Sequence, residues 1–566
     1  MIPKLAAFLS AALTAAAAAS AQQPAPVQIA APHPQARAAA EAMLDQGGSA
    51  ADAAIAAQLV LNVVAPQSTG IGGSGVMLYY EAATGGLRVF NGLARAPQSA
   101  QADQFLAADG TPLDLSEPGV RAALVAAPGL LELLGEARRK AGTLRWKTLV
   151  GPAQALAEYG FAVTAELADA IARHKETLRA SDQARALFLP DGQPAAAGAQ
   201  IHNAALAAFL RRIGESGSYA LSTGKTPDRI EAALKARSPD GLPLISAADI
   251  RGYYTRPIGT TCTRFTGQKL CVPDLPVAGG LYTLQTLALL SHFPLERLDF
   301  AAPETAHLLI EAMRLADADR ALFFADPVAE AVPLPGLLTP RYITARAQRI
   351  RHDQAMTTAP PGNPPWFLQP GAERAPQSPL PPGTASITVA DSDGNVAALV
   401  STLHGDFGSG IMVHGFFLNR AMTAFSPHAE KHGRHVANAI APNRRAMIAN
   451  APLMALNPGG GPSMILGATG GMAGQQRLIQ TFLALRYFCS SLADVESTVP
   501  RFATARDDVV LPTESRGGSL HERLTDLGHR IRFRDGRAAV SGIIRGTAAF
   551  QKRALPPISA GEDKEN

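Results

Sequence analysis

The residues best suited to chemistry gather around one threonine. Thr384-Ala385-Ser386-Ile387-Thr388-Val389-Ala390 reads as a strand, Asp391-Ser392-Asp393-Gly394-Asn395 is dense in turn formers, and residues 396–403 read as a second strand. A symmetric hairpin centred on Asp393 puts Thr402 beside Thr384 at its open end. Upstream, residues 357–383 carry proline pairs at 360–361, 364–365 and 381–382, which predicts an exposed, extended tether ending at Gly383. A threonine hydroxyl attacks weakly without a base. If the chain is cut between Gly383 and Thr384, the freed α-amine, with an ordinary pKa of about 7.7–8.0, becomes that base. The same residues also fit a plain hairpin behind a linker, with Thr384 merely its first strand residue. Further on, residues 463–466 read as a strand running into Gly467-Ala468-Thr469-Gly470-Gly471 and then a helix. Strand, Gly-Gly, helix leaves adjacent backbone N–H groups without intrahelical partners, a natural trap for an oxyanion.

Other elements must hold this hairpin. Residues 35–45 read as an alanine-rich helix stopped by Gly47-Gly48, and Ser49 with Asp52 opens a second helix over 50–64. That helix is almost wholly apolar and is expected to be buried. A glycine-rich loop, residues 68–75, then enters a strand over 76–80. Helix, loop, strand is the wrong order for a phosphate cradle, so the glycines predict close backbone packing. Residues 118–340 alternate apolar helical runs, such as 128–137 and 204–213, with proline and glycine breaks. They give scaffold and little chemistry.

Composition removes several classes. The 566 residues are 47% hydrophobic and 17% charged, enough for a large core. A net charge of +4 is thinly spread over such a length, and with no nucleic-acid-binding motif it argues against a nucleic-acid partner. Lys4, the apolar run 5–19 and Ala19-Ser20-Ala21 predict a signal peptide over 1–21 and secretion to a bacterial periplasm, without stable membrane insertion. Export suits the cysteines: if Thr266-Gly267 turns, Cys262 and Cys271 face each other on a hairpin and can oxidise. Cys489 reads as a buried residue of an apolar helix.

Residues 47–54, Gly-Gly-Ser-Ala-Ala-Asp-Ala-Ala, and the run from Pro66 to Leu78 resemble the amino-terminal signatures of gamma-glutamyltransferases. The stretch from Thr384 to Gly410 and Gly467–Gly471 resemble that family's nucleophile hairpin and oxyanion loop. The resemblance runs in order over residues 30–547. It implies an α+β, four-layer αββα sandwich of the N-terminal-nucleophile hydrolase type, made as one precursor that cuts itself between Gly383 and Thr384. The products would be a large subunit, residues 22–383, and a small catalytic subunit, residues 384–566, sharing one sandwich. By the same resemblance Thr384 is the nucleophile, Thr402 bonds to it, and Gly470 and Gly471 hold the oxyanion. The substrate would be a small-molecule amide or peptide, and the chemistry calls for no cofactor or metal.

The specificity residues depart from the family pattern. Leu93 stands where the resemblance places a carboxylate-binding arginine, Ile448 and Ala449 where it places paired serines, and His404 where it places an asparagine. Ala421 and Ala424 replace polar groups that grip the donor's α-ammonium. Each change removes a partner for the γ-glutamyl zwitterion, and an unpaired buried charge costs a few kcal/mol. The expectation is an amidase or acyltransferase with a less polar acyl group. Arg95, two positions from Leu93 along a strand, is a candidate to replace the missing cation. A true glutathione hydrolase with a rearranged clamp and an inactive secreted scaffold are the alternatives. His428, His432 and His435 have helical metal-ligand spacing, but Pro427 and Gly433 break the helix.

Overall fold

The computed structural model describes residues 25–238, 241–365, 383–536 and 538–545. Two helices come early, α1 (Pro34–Asp45) and α2 (Ala50–Val64). Ser49 and Asp52 form the reciprocal capping box at the start of α2, and every residue of that helix is buried. The Asp391 carboxylate also accepts from the Ala50 N–H, at 2.9 Å, so the tip of the threonine hairpin is tied to the same helix end.

Two antiparallel five-stranded sheets form the centre. The first comprises β1 (Gln28–Ala30), β2 (Ser74–Glu81), β3 (Gly86–Gly92), β6 (Thr384–Ala390) and β7 (Val396–Thr402), in the order β1-β6-β7-β2-β3. The second comprises β4 (Thr260–Phe265), β5 (Gln268–Pro273), β8 (Leu453–Leu456), β9 (Pro462–Thr469) and β10 (Ala539–Ile544), in the order β10-β9-β8-β5-β4. Helices α1, α2, α3 (Leu130–Ala141) and α4 (Trp146–Tyr159) cover the first sheet. Helices α5 (Ala278–Leu290), α6 (Pro303–Phe323) and α7 (Gly471–Tyr487) cover the second. The layers are αββα, as the resemblance implies.

Strand parity decides which face each residue serves. Ala385, Ile387 and Val389 of β6, with Ala397 and Leu399 of β7, pack toward α2. Ala390, Val396 and Ala398 pack between the sheets with Met454 and Ile465. Thr384 and Thr402 belong to this second set, so both face the space between the sheets. They are also direct cross-strand partners, as the symmetric hairpin requires. The glycine loop packs closely, as expected. A Cβ on Gly73 would lie 2.6 Å from the Thr402 carbonyl oxygen, and one on Gly75 2.7 Å from that of Val400.

Cys262 and Cys271 are register partners and form a disulfide, with Thr266 and Gly267 at positive φ in the turn between β4 and β5. Cys489 differs from expectation: it lies two residues past the end of α7 and is half-buried. The signal segment 1–21 and most of the tether lie outside the described residues. The described start of the tether is exposed at Thr357, Thr358, Asn363 and Pro365 but tied down between them. The N–H groups of Ala359 and Gly362 donate to Asp507 and Asp319, at 3.2 and 2.8 Å. Residues 430–435 form a two-stranded hairpin with His432 and Gly433 at its turn, and His435 meets Glu330 at 3.0 Å. Among the described residues no group of three His, Cys, Asp or Glu is placed to hold a metal ion, and no helix is long and apolar enough to cross a membrane.

Candidate active site

Thr384 opens β6 and Thr402 closes β7, so the hairpin's open end presents two hydroxyls between the sheets. Both residues are buried. The Thr402 hydroxyl donates to the Gly383 carbonyl oxygen at 2.6 Å and accepts from the His404 N–H at 2.8 Å. The resemblance implies a bond from Thr402 to the nucleophile; in this uncut chain it is instead the carbonyl just before Thr384 that Thr402 holds. The Thr384 hydroxyl donates to the side-chain oxygen of Asn450 at 3.4 Å, and the Asn450 amide donates to the Gly471 carbonyl at 2.9 Å. Asn450 thus links the threonine to the glycine pair.

Gly470 and Gly471 sit where β9 gives way to α7, both at positive φ, with Gly470 left-handed at the N-cap. Their N–H groups belong to the first turn, where the helix supplies no acceptor. The first turn of α7 carries no acidic side chain, so its partial positive charge is uncompensated locally. Gly383 also has a positive φ, 110°, and its lack of a Cβ lets its backbone lie against Gly405 and Asp406.

A cavity of about 20 Å³ adjoins the threonine, lined by Thr384, Val400, Thr402, His404, Ile448, Ala449, Asn450 and Gly471. That is room for a water molecule and no more. None of its lining side chains is a carboxylate, ammonium or guanidinium. Behind it Leu93 is fully buried and packs with Val76, Val277, Val400, Ile448 and Ala451. His404, itself at positive φ, meets the Ser74 hydroxyl through Nε2 at 2.9 Å. Burial first, and the nearby Arg420 charge second, push its pKa down to about 3. It is therefore a neutral hydrogen-bonding ring at physiological pH and a weak base.

Three residues named from the sequence stand apart from this cavity. Strand β3 ends at Gly92, so Leu93 and Arg95 do not lie on one strand face. The Arg95 guanidinium donates to the Asp249 carbonyl at 2.8 Å and lies against the rings of Tyr253 and Tyr254. Ala421 and Ala424 fall in a short 3₁₀ turn and pack with Ala94, Ala96 and Phe425. Conversely, Ser74, Val400 and Asn450 were not singled out from the sequence. Asn450 directly follows the Ile448-Ala449 pair, but nothing in its own surroundings in sequence marks it.

Comparisons with known proteins agree with this architecture. Residues 36–564 match the gamma-glutamyltranspeptidase family. The glutathione hydrolase proenzyme of Bacillus subtilis (strain 168) is 33% identical over 511 residues, covering 89% of this chain and 85% of that protein. The acylase ACY 1 proenzyme of Pseudomonas sp. (strain V22) is 30% identical over 556 residues, covering 94% and 93%. Among solved structures, a cephalosporin acylase from Bacillus halodurans superposes with a TM-score of 0.77 at 24% identity over 96% of both chains. Gamma-glutamyltranspeptidase from Helicobacter pylori does so with a TM-score of 0.57 at 26% identity, covering 62% of this chain and all of that one.

Proposed function

The chain belongs to the gamma-glutamyltranspeptidase family and is an amidohydrolase or acyltransferase of the N-terminal-nucleophile kind; we propose that it cuts itself between Gly383 and Thr384 and then cleaves amides whose acyl group is less polar than γ-glutamyl. In the first step the Thr384 hydroxyl oxygen attacks the Gly383 carbonyl carbon, the C–N bond breaks, and the amine nitrogen takes up the proton. Water then hydrolyses the resulting ester, leaving a carboxylate on Gly383 and a free hydroxyl and amine on Thr384. The Thr402 bond to the Gly383 oxygen supports this order, because a donor aimed at that oxygen stabilises the charge that develops there.

In turnover the Thr384 amine is the general base and its hydroxyl the nucleophile. The Gly470 and Gly471 N–H groups receive the oxyanion, and water or an amine resolves the acyl-enzyme. Asn450 positions the threonine hydroxyl.

One observation carries the specificity: the cavity wall beside Thr384 is Val400, Ile448 and Ala449, backed by Leu93, where the family pattern calls for a cation and hydroxyls. The test is a set of anilides of equal chain length. Mass spectrometry and Edman sequencing of the matured protein should first give a small fragment beginning at Thr384. Butanoyl anilide should then turn over faster than γ-glutamyl anilide. A persistent full-length chain refutes self-cleavage, and a preference for the γ-glutamyl donor restores the glutathione hydrolase reading.

A further inference from the structure

The edges of the two sheets leave a cleft of about 330 Å³ on the side away from β1 and β10. Residues 87–91 of β3 and residues 256–260, which lead into β4, form its two long walls. Successive side chains of a strand point to opposite faces, so a cleft lined by five consecutive residues runs along the strand's backbone edge. β3 is the last strand of its sheet and β4 the last of the other, so each turns an unpaired edge outward. One end of the cleft is closed by the Asn91 side-chain amide, which donates to the Arg256 carbonyl at 2.9 Å.

Around these edges the chemistry is mixed. Leu87, Val89 and Ile258 are half-buried and pack onto the apolar side chains between the sheets. Arg88 of β3 and Glu136 and Lys140 of α3 add charges of both signs. Arg256 is held by Asp326, whereas Arg88, Glu136 and Lys140 make no hydrogen bond or ion pair among the described residues. The volume is at the lower end for small-molecule sites, about 300–1,000 Å³. At about 3.3 Å per residue the wall 87–91 runs about 13 Å, enough for an extended tripeptide. The cleft is distinct from the catalytic cavity. Val89 and Ile258 pack against the cluster that contains Leu93, and it is other members of that cluster, Val400 and Ile448, that line the Thr384 cavity.

We propose that this cleft is a second, non-catalytic site that takes a short extended peptide with free ends. The peptide adds to the outer edge of β3 by main-chain hydrogen bonds, as strands do at an open sheet edge. Its central side chain lies on Val89 and Ile258, and its two charged ends find opposite charges in Glu136 and in Arg88 or Lys140. Backbone pairing supplies most of the affinity, because ion pairs at such exposed positions are worth little. The site does not depend on the reaction proposed at Thr384.

The experiment uses the full chain and three probes: the tripeptide Ala-Val-Ala, the same peptide acetylated and amidated at its ends, and the same peptide methylated on both peptide nitrogens. Calorimetric titration should give saturable binding of Ala-Val-Ala with a Kd of about 1 mM or below. Capping the ends should weaken binding by about 2- to 5-fold per charge removed, and methylation by at least about 10-fold, since two main-chain donors are lost. Deuterium exchange read by mass spectrometry should slow in fragments covering residues 87–91 when the peptide is present. Lys140→Glu, on an exposed helix position, should alter affinity for the free-ended probe and leave the capped probe unchanged. Thr384→Ala should bind as the wild type does, whether or not it is cut. No saturation up to about 10 mM marks the charges as a device that merely blunts an open edge, and overturns the proposal. Equal binding of the methylated probe overturns it too. Loss of binding in Thr384→Ala, or slowed exchange confined to the walls of the Thr384 cavity, would put the peptide in the catalytic site and overturn it as well.

Discussion

Replacing Thr402 by valine tests the proposed self-cleavage at a single atom. The side chain keeps its shape but loses a hydroxyl with two bonds, 2.6 Å to the Gly383 carbonyl and 2.8 Å from the His404 N–H. Removing one oxyanion-type donor costs roughly 10²- to 10³-fold in rate, about 3–4 kcal/mol at the barrier. Separately, the buried His404 N–H is left without its acceptor, which costs about 1–3 kcal/mol of stability. The two losses are measured apart. A time course of freshly folded precursor on denaturing gels reads the rate at which fragments 22–383 and 384–566 appear, and circular dichroism with a thermal melt reads the fold. Thr402→Val should stay folded with a modestly lowered melting temperature and cleave at least 100-fold more slowly, while Thr402→Ser should cleave near the wild-type rate. A folded Thr402→Val precursor that matures within a few-fold of wild type would refute the idea that this hydroxyl activates the Gly383 carbonyl.

Gly383→Ala should block maturation while leaving the fold: at φ of 110° its Cβ would lie 2.6 Å from the Gly405 carbonyl carbon, forcing the carbonyl away from Thr402; normal fragment yield would sink this account. Acid should weaken the fold through His529, whose Nε2 meets Nδ1 of His307, on α6, at 2.8 Å. Burial, then the His307 and Arg314 charges, lower its pKa to about 3. Above pH 6.5 it is neutral folded and unfolded, so it has no effect. Between about 6.5 and 3 the unfolded chain binds a proton that the folded chain refuses, so stability falls by up to about 1.4 kcal/mol per pH unit. Urea unfolding at pH 7, 6 and 5 should show this slope reduced in His529→Gln; an unchanged slope counts against it.

What was legible in the sequence was what repeats locally. The pairing of Thr384 with Thr402 follows from strand period and turn residues, and the Ser49 cap from a four-residue pattern, so both appear in the structure as read. The Cys262–Cys271 bridge follows in the same way from a short hairpin. What stayed hidden depends on contacts between distant segments. Asn450 reaches Thr384 because β8 lies in the facing sheet, and Ser74 meets His404 across 330 residues of chain. Arg95 looked available because its neighbours suggested a continuing strand. The strand stops at Gly92, and Asp249, far along the chain, takes the guanidinium. Ala359 and Gly362 were read as exposed because prolines surround them, yet carboxylates on other segments capture their N–H groups.

The separation of backbone chemistry from side-chain chemistry explains how such a pocket can change without loss of the reaction. The parts proposed to act on the amide are a chain terminus, a hairpin hydroxyl and two glycine N–H groups, and all are positioned by β6, β7 and the β9–α7 junction. Those elements are fixed by cores that lie elsewhere: Ile387, Val389 and Leu399 against α2, and Leu466 with Phe482 behind β9. The residues proposed to choose the acyl group, Leu93, Val400, Ile448 and Ala449, contribute to a small separate cluster or line the cavity itself. On this proposal an apolar wall there offers no partner to a zwitterion while it adds to the packing of the cluster, so the donor can change without disturbing the elements that hold the reacting groups.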